Sequence, residues 1–265
     1  MILRSKVAVV YGGGGVIGGA AARAFAGAGA RVFLAGRSPE KLDAVARDIV
    51  AAGGKAETAR VDALDEDAVN RHADKVVAEA GSIDIALNAV GFFHVQGVPL
   101  ASLSLADYSY PVEAYTRTNF ITAKAVARHM VREGAGVILI LTTPAAKMVG
   151  PGFLGHCVAC AGVEAMTRHL AGELGADGVR VLCLRSHAIP EAVTRGSHSR
   201  DVFRQVALPA GMGIDEMLAG AAEGTLLKRL PRLAEIANTA VFLASEQAGA
   251  MTGTVVNLSC GMSVD

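Results

Sequence analysis

Neither sign of charge is in excess in this sequence: 25 basic side chains balance 25 acidic ones. No electrostatic footprint therefore points to nucleic acid or to an anionic membrane. Long hydrophobic runs are missing too. VILILTT falls far short of the ~20 apolar residues that a spanning helix needs. The apolar start of MILRSKVAVVYGGGG is too short for a secretory leader and is cut at once by glycines. A protein of the cytoplasm, away from membranes, is expected. Cysteine is scarce and irregularly placed, at Cys157, Cys160, Cys183 and Cys260, which excludes a disulfide framework and reads as reduced thiols. Tryptophan is absent and aromatic residues make up only 5%. What is abundant is small and apolar: 52% hydrophobic residues and 31 glycines. That composition excludes disorder and suits a sheet wrapped by alanine-rich helices. A chain of 265 residues can bury one good core, so a single domain over 1–265 is expected.

The patterning alternates strand and helix. KVAVVY is a continuous apolar run, as a strand buried on both faces requires. GGGG follows and opens an alanine-rich helix. RVFLAG reads as a second strand and SPEKLDAVARDIVAAGG as a helix, with Ser38 at its N-cap, Pro39 in its first turn and Gly53 past its end. KAETARVDA and DEDAVNRHADKVVAEAG continue the rhythm. IDIALNAVG, VILILTT and VRVLCLRS supply further strands, separated by helices near 107–132 and 154–175. PRLAEIANTAVFLASE and GTVVNLS close the chain as a helix and a seventh strand. The fold class is α/β: a doubly wound parallel sheet of about seven strands with right-handed crossovers, a Rossmann fold. One segment breaks the rhythm. Residues 186–228 read as loop-rich with one or two short helices, and they leave the carboxyl end of a strand, where open α/β sheets bind ligands. A substrate lid is expected there.

Gly12–Gly18, GGGGVIG, lies between the first strand and the first helix. Glycines let the backbone turn tightly and approach a pyrophosphate seated on the free N–H groups of a helix start. Further marks follow in order: AGRSPEKL, VDA, LNAVG, Asn119 in the fourth helix, and LKRLPRLAEIANTAVFLASEQAGAMTG. Together, and along the whole chain, they resemble the short-chain dehydrogenase/reductase family. The resemblance implies a nicotinamide cofactor, a small-molecule carbonyl or alcohol substrate, and self-association as a homodimer or homotetramer through the fourth and fifth helices.

The match is uneven residue by residue. Gly12 and Gly18 fall on the family's glycine turn, Tyr11 takes its threonine position and Val16 its middle glycine. Gly13-x-Gly15-x-x-Gly18 gives the general dinucleotide spacing instead. Asn88 and Gly91 keep the ends of the motif after strand four. Strand two ends in Gly36-Arg37 with no acid. A carboxylate there would hydrogen-bond a ribose 2′-hydroxyl, whereas Arg37 can pair with a 2′-phosphate, so NADP(H) is favoured over NAD(H). By resemblance, Asp62 contacts the adenine.

The family's catalytic Ser, Tyr and Lys fall here on Thr143, His156 and Cys160. Tyr, with a reference pKa of ~10, needs the Lys cation to act near neutrality, whereas His at ~6.5 does not. The two replacements thus read as one correlated change in a rebuilt proton-transfer site, with Thr143 orienting the substrate oxygen, His156 exchanging the proton and Cys160 facing the ribose. Asn119, by resemblance, belongs to a water relay to the missing Lys. His187 occupies the family's Pro-Gly position and would line the nicotinamide pocket. Tyr108, Tyr110, Tyr115 and His94 are further polar candidates near the same end. The 186–228 segment offers Ala, Leu, Met and Val beside Arg195, His198, Arg200 and Arg204, compatible with many carbonyl compounds, including anionic ones. An NADP(H)-dependent oxidoreductase is the leading expectation. The alternatives are an inactive nucleotide- or metabolite-binding protein, or a structural partner subunit, and then a non-redox lyase or isomerase that uses His156 as a base.

Overall fold

A computed structural model describes residues 1–264, and Asp265, the last residue of the expected domain, lies outside them. The strands are β1 (Val7–Tyr11), β2 (Arg31–Gly36), β3 (Lys55–Arg60), β4 (Ile85–Asn88), β5 (Gly136–Thr142), β6 (Val179–Ser186) and β7 (Val255–Leu258). They form one sheet in the order β3-β2-β1-β4-β5-β6-β7, with every neighbouring pair parallel. The central strands are apolar on both faces because both faces are covered: all five residues of β1 are buried. β3 sits at the edge, and its KAETAR is correspondingly polar and largely accessible.

The helices are α1 (Val16–Gly27), α2 (Pro39–Ala51), α3 (Glu66–Ala80), α4 (Leu105–Glu133), α5 (Leu154–Leu174), α6 (Pro190–Thr194), α7 (His198–Ala207), α8 (Ile214–Glu223) and α9 (Leu233–Ala244). α1, α2 and α9 cover one face of the sheet, and their Phe25, Leu42 and Ile236 pack on the Val10, Leu34 and Leu182 side. α3, α4 and α5 cover the other face, with Val69, Ile121 and Val163 against Val9, Ile138 and Val181. Each fully buried Val or Leu contributes about 1.5–3 kcal/mol of transfer free energy. Ser38 precedes α2 as expected, but its side chain makes no capping hydrogen bond. The turn after α2 relies on Gly53, whose φ of +83° is open to glycine.

From β3 the chain returns to the middle of the sheet, so β4 pairs with β1. The connections after β1 and β4 then lead to helices on opposite faces. Between their carboxyl ends lies the crevice in which such sheets bind ligands. The segment after β6 departs from the reading of its sequence: it is mostly helical, with α6, α7 and α8 in succession. Gly196, Gly211 and Gly213 break it into pieces too short to show a long period. Ser197 caps α7 by accepting from Ser199 N at 3.4 Å. Val193, Leu218 and Leu230 form a small core of their own.

Candidate active site

The glycine turn is dictated by close approach. Gly12 has φ +77°, and a Cβ there would lie 2.6 Å from the carbonyl oxygen of Ala89. A Cβ on Gly13 would meet Leu34 Cδ2 at 2.8 Å, and one on Gly14 would meet Lys41 Cβ at 2.9 Å. Gly18 rests directly on the Gly12 carbonyl, which lets α1 pack against β1. Gly15 is the N-cap of α1 and offers no side chain to its first turn, so those N–H groups are left for a ligand. Val16 starts the helix and packs partly into the core. Tyr11, at the position before the turn, points its ring away into the opposite core, edge-on to His72 at 5.8 Å.

A cavity of about 510 Å³ opens in front of this turn, lined by Gly12, Gly15, Arg37, Asp62 and Gly91 among others. Arg37 is exposed at its rim, and the Asp62 carboxylate accepts from Leu64 N at 3.0 Å. Arg195, expected with the substrate, lines this cavity instead. The cradle fits a dinucleotide's diphosphate: it is a glycine-lined hollow at a helix start with no side-chain cap. Gly13 and Gly18 do not line the cavity; they pack against Leu34 and against the Gly12 carbonyl behind it. Asn88 is buried beneath it, donating to Thr122 Oγ1 at 2.9 Å and accepting from Val90 N at 3.0 Å, and so fixes the loop that carries Gly91.

A second cavity, of about 400 Å³, adjoins the first. Thr143, His156, Cys160 and His187 all line it. Thr143 follows β5, and its Oγ1 lies 3.3 Å from His156 Nε2 and 3.4 Å from Cys160 Sγ. The same oxygen accepts from Ala145 N at 3.2 Å. His156 and Cys160 lie one turn apart on α5, so both reach the same wall, with Cys160 Sγ 3.7 Å from His156 Nε2. Asn119 lines neither cavity. Its Nδ2 donates to the Tyr115 carbonyl at 2.9 Å and its Oδ1 is buried without a partner. The structure therefore does not bring it to the other expected residues. The relay reading required the Lys whose place Cys160 takes.

Two further histidines pack around this site, of which His198 lines the cavity and His94 stands behind His156. His94 stacks on His156 with ring centroids 4.6 Å apart and planes 21° from parallel. It is held at both nitrogens: Nδ1 donates to the Phe92 carbonyl at 2.9 Å and Nε2 accepts from Gln96 Nε2 at 2.9 Å. Tyr115 sets its ring edge-on against Phe92 and His94. His198, at the start of α7, lies against Gly91 where any Cβ would collide with its ring, and it lines both cavities. His94 and His198 were visible in the sequence, but no spacing singled them out. Their place here comes from packing between segments far apart in the chain.

These imidazoles are neutral at physiological pH. Burial, then the neighbouring His94 and His198, lowers the His156 pKa to about 3. Burial, then His94, lowers that of His198 to about 4. Burial also lowers His94 and His187 and raises the Cys160 thiol. His156 therefore sits well below the ordinary histidine value of ~6.5. A neutral imidazole still donates one N–H hydrogen bond, and it does so without changing protonation state. Arg200 and Arg204 both stay outside the second cavity, and Arg204 pairs with Asp201 at 3.5 Å in solvent.

Comparison with known proteins agrees with this architecture. A family model described as "Enoyl-(Acyl carrier protein) reductase" matches residues 14–263. An uncharacterized oxidoreductase of Mycobacterium tuberculosis is 32% identical over 98% of this chain and 93% of its own. Tropinone reductase-like 2 of Erythroxylum coca is 29% identical over 99% of this chain and 92% of its own. The crystal structure of an NAD+-bound xylitol dehydrogenase superposes with a TM-score of 0.89 at 24% identity, covering 98% of this chain and 100% of that one, and shares the fold. The chain belongs to the short-chain dehydrogenase/reductase family, a family of oxidoreductases.

Proposed function

We propose that this protein is an NADP(H)-dependent oxidoreductase acting on a carbonyl/alcohol pair through Thr143 and His156. The observation that carries the reading is their contact, Thr143 Oγ1 to His156 Nε2 at 3.3 Å, on the wall of a cavity that meets the glycine cradle at Gly91. When bound, the nicotinamide supplies or accepts the hydride. The chain's own residues bind it and handle the oxygen. Arg37 at the rim of the first cavity favours a 2′-phosphate.

In the tautomer this reading assigns, with the proton on Nε2, His156 donates to Thr143 Oγ1, which also accepts from Ala145 N–H. Two donors on one hydroxyl polarise it and leave its proton free to meet negative charge developing on the substrate oxygen. In this reading His156 strengthens a neighbouring donor and does not carry a cationic proton. Because it stays neutral over the working range, turnover is insensitive to its titration. The stack on His94 holds the imidazole in register. Residues 186–228 act as the lid, placing Phe203, Val206 and Met217 over the second cavity. Phe120, Leu154 and Val158 leave apolar surface exposed on α4 and α5, which supports self-association through these helices.

His156→Ala tests the assignment. We expect nicotinamide-coupled turnover to fall at least about 100-fold, as removing a preorganised donor does, and a fall of twofold or less rejects it. A second reading, a dinucleotide- or metabolite-binding protein without turnover, draws on Cys160 in the cation position and on His198 lying against Gly91. Saturable NADPH binding with no hydride transfer to any carbonyl would favour it. The lyase or isomerase reading needs His156 as a base, and a pKa of about 3 makes it a weak one.

A further inference from the structure

The second cavity has no formal charge on its walls. Among the described residues that line it there is no Asp, Glu, Lys or Arg. Most of the lining is hydrocarbon or thioether, with Leu141, Phe153 and Val163 from the body of the fold and Phe203, Val206 and Leu218 from α7 and α8. The polar groups that do line it are largely committed elsewhere. Gln96 Nε2 donates to His94. Thr142 Oγ1 donates to the Cys160 carbonyl at 3.5 Å. Ser186 Oγ donates to the His187 carbonyl at 2.9 Å, and His187 Nδ1 accepts from Ala188 N at 2.7 Å. Ser197 Oγ accepts from Ser199 N. The pair facing a ligand with both position and partner is Thr143–His156.

We propose that the substrate portion entering this cavity is uncharged and largely apolar: a ketone or secondary alcohol on a hydrocarbon ring or chain, fixed by one polar point and otherwise by wall contact. This rests on the oxidoreductase reading and names its substrate class. A carboxylate or phosphate in this space would be stripped of water with no cation to meet it, and the neutral imidazoles do not provide one. A polyhydroxylated substrate would lay most of its hydroxyls against hydrocarbon, because apolar side chains dominate the wall. Met148, Met217 and Met262 also line the cavity. Their unbranched, polarizable side chains adapt to shape, so accepted skeletons vary more in outline than in polarity.

The test uses the full chain and three probes: tert-butylcyclohexanone, the same ring bearing a carboxylate (oxocyclohexanecarboxylate), and a ketopentose. Each is measured as a competitor of Nile red, a neutral fluorophore, without cofactor, and as a substrate with NADPH. We expect tert-butylcyclohexanone to displace Nile red at concentrations roughly 100-fold below the other two, and to show the same order in kcat/KM. Displacement by the carboxylate or the ketopentose within threefold of the apolar ketone overturns the proposal, as does failure of Nile red to bind. Absence of NADPH binding defeats the oxidoreductase reading separately, since the displacement order is measured without cofactor. Val206→Lys, at a partly exposed wall position, should bring the carboxylate's displacement at least about tenfold closer to the neutral ketone's by giving it a counter-charge. An unchanged gap in the folded variant would also count against the proposal.

Discussion

Acid should loosen this protein through its second cavity, and His156 gives the cleanest measure. In the unfolded chain its imidazole titrates near the ordinary value of 6.5, and in the folded chain near 3. Between those values the unfolded state binds more protons than the folded one, so stability rises with pH across the window and is lost as pH falls from about 6.5 toward 3. The contribution is complete above the unfolded value. At pH 5 the loss from this one group is about 2 kcal/mol, taking ~1.4 kcal/mol per pH unit over ~1.5 units. In a chain of this size that corresponds to a fall in Tm of roughly 4–8 °C. His156→Phe keeps a flat ring against His94 but cannot take up a proton. Thermal melts of both proteins at pH 7.5 and pH 5.0 give a difference of differences in which the carboxylates and the other histidines cancel. The wild type should lose that extra 4–8 °C relative to the variant. Equal losses in the two proteins would mean that His156 is not held neutral, and the neutral-donor role would fall with it.

Gly12→Ala forces a side chain onto φ +77° and toward the Ala89 carbonyl. It should cost at least about 1–2 kcal/mol in denaturant unfolding and weaken NADPH binding in the same samples. Arg37→Glu should raise the KM for NADPH at least about tenfold, the cost of losing a charge-assisted pair, with a far smaller effect on NADH in parallel steady-state assays. His198→Ala removes the ring that lies between the two cavities. It should tighten NADPH binding in a fluorescence titration, and weaker binding would show that the ring is a contact and not an obstacle.

Local pattern made much of the fold legible. VAVVY read as a strand covered on both faces, and the glycines after it as a tight strand-to-helix turn open to a pyrophosphate; the strand is buried throughout and the turn is closely packed. Arg37, Thr143, His156 and Cys160 were legible through their distance from those landmarks, and the structure puts them on two adjoining cavities. The protonation state of His156 was not legible. It depends first on burial and then on His94 and His198, which reach the same place from the loop after β4 and from α7. The role of Asn119 was not legible either: its position matched, and its amide donates to the carbonyl of Tyr115 on its own helix. The 186–228 segment read as loop because its glycines and prolines cut three short helices into pieces below the length at which a period shows.

The central claim is that the cradle of Gly12, Gly15 and Arg37 takes a nicotinamide dinucleotide in front of Thr143 and His156. Titration of the protein with NADPH and with NADH, followed by nicotinamide fluorescence, tests it most directly. Saturable binding of both, with NADPH the tighter, is the predicted result; no saturable binding of either would contradict it.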